Sequence, residues 1–257
     1  MLSDTRLREV FHLCFLHRLL KISDINLYVL KGGVYLRFFF GSPRYSEDMD
    51  LDVTAGSVTT LRKNGYKILE DGAFQRSLRV FDIDAIDVND PAKAKHTETT
   101  QRFGCALVRG SGVRLPTKVE FSRRADDPGD AAASELIDAA ITRPYRKLAF
   151  RCRHYRGSAA VVQKIHALAD RAVTQARDVF DLGILIRGGH LGTAVAEGAL
   201  EKAPVQKAID CLTGLGWEDY DGQVVEYLDD DSREEFGDRD GWQSLQNFVF
   251  ESLEEHA

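Results

Sequence analysis

Long hydrophobic runs are missing from this sequence. Strongly apolar stretches such as residues 36–40 fall far short of the roughly 20 residues a membrane-spanning helix needs, so no membrane association is expected. The N-terminal segment lacks the basic start and unbroken apolar core of a signal peptide. Acids and bases interrupt an apolar periodicity there, which predicts an amphipathic helix over residues 5–21. Cysteine is sparse and scattered: Cys14, Cys105, Cys152 and Cys211 form no C-x-x-C pair. That spacing argues against a zinc site and against a disulfide framework, and predicts reduced, buried thiols in a cytoplasmic protein. Internal repeats and low-complexity tracts are also absent. What remains is an ordinary globular composition, 44% hydrophobic and 29% charged, in a chain of 257 residues. Such a chain can bury a full core as one large or two modest domains.

Basic residues are nearly absent from one end. Residues 218–257 hold 14 acidic side chains against Arg233 and Arg239, so residues 1–217 carry a net charge of +6 beneath an overall −6. A mildly basic body is compatible with nucleic-acid contact, and the acidic tail reads most simply as a solvated helical extension.

The hydrophobic pattern predicts a short buried strand at 26–30, a Gly32-Gly33 break, a helix over 34–40 ended by Gly41-Ser42-Pro43, and a strand at 49–53. A helix over 57–69 and strands at 77–88, 102–108 and 113–122 follow. Beyond an Ala-rich link, helices are expected at 159–170, 177–187, 193–203 and 205–215. The expected organisation is an α+β catalytic core over 1–140, a mixed sheet flanked by helices, followed by a mostly helical region over 141–257 with the acidic tail.

The segment that carries chemistry is LKGGVYLRFFFGSPRYSEDMDLDV. Asp50 and Asp52 are two apart on a predicted strand, so they project from one face. Carboxylates held so close repel unless a cation lies between them, and hard oxygen ligands suit Mg²⁺ or Mn²⁺. The pair alone is a common pattern, since Asp82/Asp84 and Asp229/Asp231 share it. Its context sets it apart: Gly32 and Gly33 at a strand-to-helix turn let backbone N–H groups approach phosphate without an intruding Cβ. A phosphate cradle beside a metal pair describes a phosphoryl-transfer site. A plain strand-to-helix turn would satisfy the same local geometry without a ligand. Lys31 and Arg44 flank the pair, each suited either to phosphate or to pairing with Glu47 or Asp48. Ser46 is suited to phosphate or, more simply, to capping the turn before Glu47.

The run K-G-G-x-x-L-R-x-x-x-G-x-P-R-x-S-E-D-x-D-L-D from Lys31 to Asp52 resembles the signature of the AbiEii/AbiGii nucleotidyltransferase toxins. These belong to the DNA polymerase β-type nucleotidyltransferase superfamily and include the MenT toxins. K-V-E-F-S at 118–122 resembles the family's strand with the third carboxylate. K-I-H-A-L at 164–168, Arg171, and R-D-V-F-D-L at 177–182 resemble its helical motif. The resemblance covers residues 31–182. It implies transfer of a nucleoside monophosphate from an NTP, a separate antitoxin partner, a role in phage defence and, for MenT-like members, the tRNA 3′ end as acceptor. The alternatives are a protein or small-molecule acceptor, or a non-catalytic nucleotide-binding module.

The resemblance also implies roles. Asp50, Asp52 and Glu120 would hold the metal ions, with a surface strand glutamate as the other reading of Glu120. Lys164 and Arg171 are two helical turns apart and suit triphosphate. Arg177, Asp178 and Asp181 fall within about a turn, reading either as nucleotide contacts or as an internal salt-bridge network, with Asp181 suited to holding Lys164 or Arg177 in place. His166, off the Lys164 face, reads as structural. Lastly, Arg143, Arg146, Lys147, Arg151, Arg153 and Arg156 interleave with Tyr145, Phe150 and Tyr155 and no acid. That composition suits single-stranded RNA, tail docking or an antitoxin interface.

Overall fold

In the computed structural model, which describes residues 2–124 and 126–257, the chain divides into two units. The first comprises residues up to Phe39 together with Tyr45–His154; the second is Phe40–Arg44 with Tyr155–Ala257.

The first unit opens with α1 (Asp4–Ile22), whose first turn is closed by Ser3, its hydroxyl accepting from the Arg6 N–H. Strand β1 (Tyr28–Lys31) runs directly into α2 (Gly32–Phe40), and β2 (Asp48–Val53) follows. Helix α3 (Val58–Leu69) is capped by Ser57 and α4 (Gly72–Leu78) by Asp71. Next come β3 (Ala85–Val88), β4 (Thr100–Val108), β5 (Arg114–Arg123), β6 (Ala132–Leu136), the single turn α5 (Ala139–Thr142) and β7 (Arg151–Tyr155). The strands form one mixed sheet in the order β3-β4-β5-β2-β1-β7-β6. β2 runs parallel to β5 and antiparallel to β1, while β1 runs parallel to β7.

One face of the sheet is closed by α1. Its His12 Nε2 lies 3.0 Å from Thr117 Oγ1 of β5, and Leu7, Phe11, Phe15 and Leu19 are fully buried with Met49, Leu51, Val119 and Phe121. Each such Leu or Phe contributes about 2 kcal/mol of apolar burial. Because strand side chains alternate, the residues between these apolar ones, Asp50 and Asp52 on β2 and Glu120 on β5, point to the other face.

The second unit is helical: α6 (Gly157–Asp170), α7 (Ala176–Arg187), α8 (His190–Ala196), α9 (Lys202–Thr213), α10 (Trp217–Gln223), α11 (Arg233–Phe236) and α12 (Arg239–Glu254). α6 packs on α7, α8 and α9, and α12 on α7 and α9. The acidic tail is thus integrated rather than solvated on all sides: α12 buries Trp242, Leu245, Val249 and Leu253. No single helix among the described residues is long and apolar enough to cross a membrane.

Four expectations are corrected. The strand expected at 77–88 is α4, a 3₁₀ turn and only a short β3, because Asp71 caps a helix that buries Phe74 and Leu78 four residues apart. The single helix expected over 193–203 is broken at Gly198, whose φ of +66° no helix accommodates. The Ala-rich link contains a strand, β6. Cys14, Cys105 and Cys152 are buried free thiols as expected, but Cys211 is partly exposed.

Candidate active site

Lys31, Asp50, Glu120 and Arg102 form a row across four adjacent strands. Lys31 opposes Asp50 between β1 and β2, Asp50 opposes Glu120 between β2 and β5, and Glu120 opposes Arg102 between β5 and β4. Register partners on a sheet sit side by side on one face. Asp48, opposite Lys118, and Asp52, opposite Ser122, continue the same face along β2.

Cations hold most of these carboxylates. Asp52 is buried and accepts from Lys31 Nζ at 2.6 Å and from Arg124 Nε at 2.8 Å. Glu120 accepts from Arg102 Nε at 2.7 Å, and Asp48 pairs with Lys118. Asp50 differs: among the described residues its carboxylate has no hydrogen bond or ion pair. Its pKa is raised above the ordinary carboxylate value, first by burial, then by Glu120 and Asp48, against the opposing pull of Lys31 and Lys118. A half-buried carboxylate short of positive charge, beside a second carboxylate on the same strand, is a donor set that a hard divalent cation fits. Among the described residues no three His, Cys, Asp or Glu side chains converge tightly enough to hold a metal ion. Arg102 draws Glu120 aside, while Lys31 and Arg124 cover Asp52.

Gly32 is the turn residue that closes this arrangement. Its φ is +77°, and a Cβ there would stand 2.9 Å from Asp50 Oδ2. Only glycine meets both demands. Gly33 continues into the first turn of α2, where backbone N–H groups have no intrahelical acceptor.

Most of the other expected residues are paired within their own units. Ser46 donates its hydroxyl to the Asp48 carbonyl at 2.9 Å, closing a turn. Neither Lys31 nor Arg44 takes up Glu47 or Asp48: Glu47 faces Arg8 at 3.2 Å, and Asp48 faces Lys118. Arg44 belongs to the second unit, where it is buried and grips Asp181 through Nη2 at 3.0 Å. There Lys164 Nζ bridges Asp178 at 2.8 Å and Asp181 at 2.7 Å, and Arg171 Nε lies 2.8 Å from Asp178 Oδ2. Asp178 and Asp181 are fully buried. Burial is the largest influence on Lys164 and pulls its pKa down, yet Asp181 and Asp178 together outweigh it and the net shift is upward. Burial likewise pushes Asp181 up and is outweighed by Arg44 and Lys164, for a net lowering. This is the internal salt-bridge network tying α6 to α7. Arg177 is not part of it: its side chain is exposed, and its backbone N–H donates to Gln223 at 3.4 Å. His166 pairs on the surface with Asp170 at 3.3 Å.

The two tyrosines of the basic segment do not display their faces to solvent. Tyr145 is buried with its hydroxyl on Glu9 at 2.6 Å, Phe150 stacks on His17 with ring centroids 4.6 Å apart, and Tyr155 is buried. Tyr145 and Tyr155 are therefore withdrawn from base stacking by burial, while Phe150 is half-buried with one face on His17.

Arg102 and Arg124 fall outside the motifs, and Lys118, at the start of K-V-E-F-S, is given no role by them. The signal available in the sequence is parity: Lys118 and Arg124 lie two and four residues from Glu120, so they share its face.

No curated protein matches the sequence. Among solved structures, JHP933 from Helicobacter pylori is similar over 99% of this chain and 96% of its own, with a TM-score of 0.57 and 18% identity. MenT4, a nucleotidyltransferase toxin from Mycobacterium tuberculosis H37Rv, is similar over 99% of this chain and 85% of its own, with a TM-score of 0.58 and 18% identity. At that identity both establish the shared fold. The family model described as nucleotidyl transferase AbiEii toxin, type IV toxin–antitoxin system, matches residues 14–255. Spanning both units and every motif noted above, that match places the chain in the AbiEii nucleotidyltransferase toxin family, and the protein is a nucleotidyltransferase.

Proposed function

We propose that this protein is a divalent-metal-dependent toxin that transfers a nucleoside monophosphate from an NTP to an RNA acceptor, the tRNA 3′ end, and that an antitoxin protein restrains it. The observation that carries the reading is the Lys31–Asp50–Glu120–Arg102 row with Gly32 seated against Asp50. Asp50 and Asp52 would hold the Mg²⁺ or Mn²⁺ ion, and Glu120 would join them when Arg102 releases it. Bound there, the cation supplies charge neutralisation for the triphosphate and the leaving pyrophosphate.

The chain's own residues do the rest. Gly32 and Gly33 admit the triphosphate to the free N–H groups of α2. Lys31 and Arg102 exchange their carboxylate partners for phosphate oxygens. The acceptor hydroxyl gives its proton to a carboxylate of the row as its oxygen bonds to the α-phosphorus, while the bond from that phosphorus to the bridging oxygen of the β-phosphate breaks and pyrophosphate departs. Lys164, Arg171, Arg44, Asp178 and Asp181 serve as the scaffold of the helical unit, and Arg177, with its exposed guanidinium, is the residue of that motif available to a nucleotide.

The acceptor is tested by incubating the protein with each labelled NTP, Mg²⁺ and either total tRNA or a protein extract. Label on tRNA, removable from its 3′ end, supports the reading. Label confined to protein replaces it with protein modification.

A further inference from the structure

Between α1, α4 and the loop 143–150 lies a cleft of about 230 Å³ lined by Cys14, His17, Arg18, Lys21, Asp71 and Lys147. It is remote from the carboxylate row. α1 covers the sheet face that carries Thr117, whereas Glu120 and Lys118 alternate to the other face.

The charge in this cleft is uncompensated, unlike that of the carboxylate row. Arg18 is neutralised by Asp71 at 2.8 Å. Among the described residues, neither Lys21 nor Lys147 has an ion-pair partner, and the same holds for Arg143 and Arg146 on the adjoining loop. His17, held by its stack on Phe150, reports the resulting field: its pKa is lowered first by burial and then by Lys21 and Lys147. Lys21 from α1 and Lys147 from the loop 143–150, neither ion-paired and with His17 lining the same cleft, form an anion site. Lysine is a point charge without arginine's planar fork, and lysines from two separate elements suit a tetrahedral group with several acceptor oxygens better than a planar carboxylate. Arg143 and Arg146 extend the unpaired charge beyond the cleft, as a polyanion with a charge on every repeat would require.

We propose that this cleft binds backbone phosphates of the RNA acceptor away from its reacting end, with Lys21 and Lys147 as the phosphate ligands. This rests on the reading of the acceptor as RNA. The basic segment thereby meets nucleic acid through charge, and the site anchors the body of a folded RNA while the carboxylate row works on its end.

The test measures binding of labelled tRNA by fluorescence anisotropy without NTP, for wild type and for the Lys21→Gln/Lys147→Gln double variant, across a salt series. Lys21 is exposed and Lys147 is half-buried, its Nζ 5.8 Å from the Phe81 ring centroid, so matched thermal unfolding checks for an intact fold. Expected are an affinity about tenfold weaker at low salt and a log–log salt slope reduced by about two, one for each phosphate-binding lysine removed. Transfer to a short oligonucleotide ending in the same sequence keeps its rate. In the wild type, inorganic phosphate raises the pKa of His17 measured by NMR, and in the double variant it does not. Unchanged RNA affinity and slope overturn the proposal. So does displacement of the RNA by an acidic peptide that binds the wild type more tightly, which assigns the cleft to a protein partner. Failure of the acceptor reading is seen separately, as label on protein in the NTP assay while these binding results stand.

Discussion

A methyl group at position 32 would stand 2.9 Å from Asp50 Oδ2, so the backbone of the strand-to-helix turn and the carboxylate of β2 occupy space that only glycine leaves open. Gly32→Ala therefore carries two penalties: a left-handed φ, costing about 1–2 kcal/mol for a residue with a Cβ, and displacement of Asp50. Gly41 has a similar φ of +65° with nothing within 4 Å of a Cβ built there, so Gly41→Ala carries the strain alone. By denaturant unfolding both variants should lose stability, Gly32→Ala at least as much as Gly41→Ala. Only Gly32→Ala should lose activity per folded molecule, by about tenfold or more. Equal activities would show that the Gly32–Asp50 approach has no part in the reaction.

The raised pKa of Asp50 sets a pH dependence of stability. A group whose folded pKa lies above its unfolded value of about 3.9 favours the folded state when protonated, and that contribution is lost as pH rises through the folded pKa. With a chelator present, Asp50→Asn should therefore melt at a higher temperature than wild type at pH 7. The gap should close as pH falls toward the ordinary carboxylate value. A variant that melts lower at pH 7 would contradict an uncompensated Asp50.

Arg124 covers Asp52 from a position that is half exposed, its pair with Asp52 spanning 2.8 Å. Exposed pairs contribute little, about 0–1 kcal/mol, and yield readily to a stronger ligand. Arg124→Ala should bind Mn²⁺ several-fold more tightly in a titration followed by electron paramagnetic resonance, with little change in stability. Unchanged affinity would remove Arg124 as a competitor for the metal.

In the helical unit, Lys164 is the tie between Asp178 and Asp181. Lys164→Ala leaves two buried carboxylates short of charge and should cost about 3–5 kcal/mol by urea unfolding. Arg171→Ala, at an exposed partner of Asp178, should cost far less. The pKa directions fix the pH window. Lys164, raised, contributes below its unfolded value of about 10.4 and loses this as pH rises through its folded pKa. Asp181, lowered, contributes above about 3.9 and loses this as pH falls through its folded pKa. Stability from this network should be flat across neutral pH and fall in acid.

Sequence reading succeeds where period and chemistry coincide. The alternation M-D-L-D-V predicts β2 and puts Asp50 and Asp52 on one face, and the Gly-Gly break predicts the start of α2. It fails where a side chain's fate depends on a distant element. Tyr145 looks like a stacking platform beside arginines, yet Glu9 on α1 claims its hydroxyl. Arg44 sits six residues before Asp50 in the chain, but its partner is Asp181, 137 residues on. Glu120 and Arg102 become neighbours only through strand register, which no local pattern encodes.

The central claim is that the Asp50 face carries out the transfer, and Asp50→Asn with Mg²⁺, NTP and tRNA tests it most directly. The readout is pyrophosphate release per folded molecule, with folding checked by thermal unfolding. The account predicts a loss of about a thousandfold, equivalent to about 4 kcal/mol of transition-state stabilisation. A folded variant releasing pyrophosphate within about threefold of the wild-type rate would contradict it.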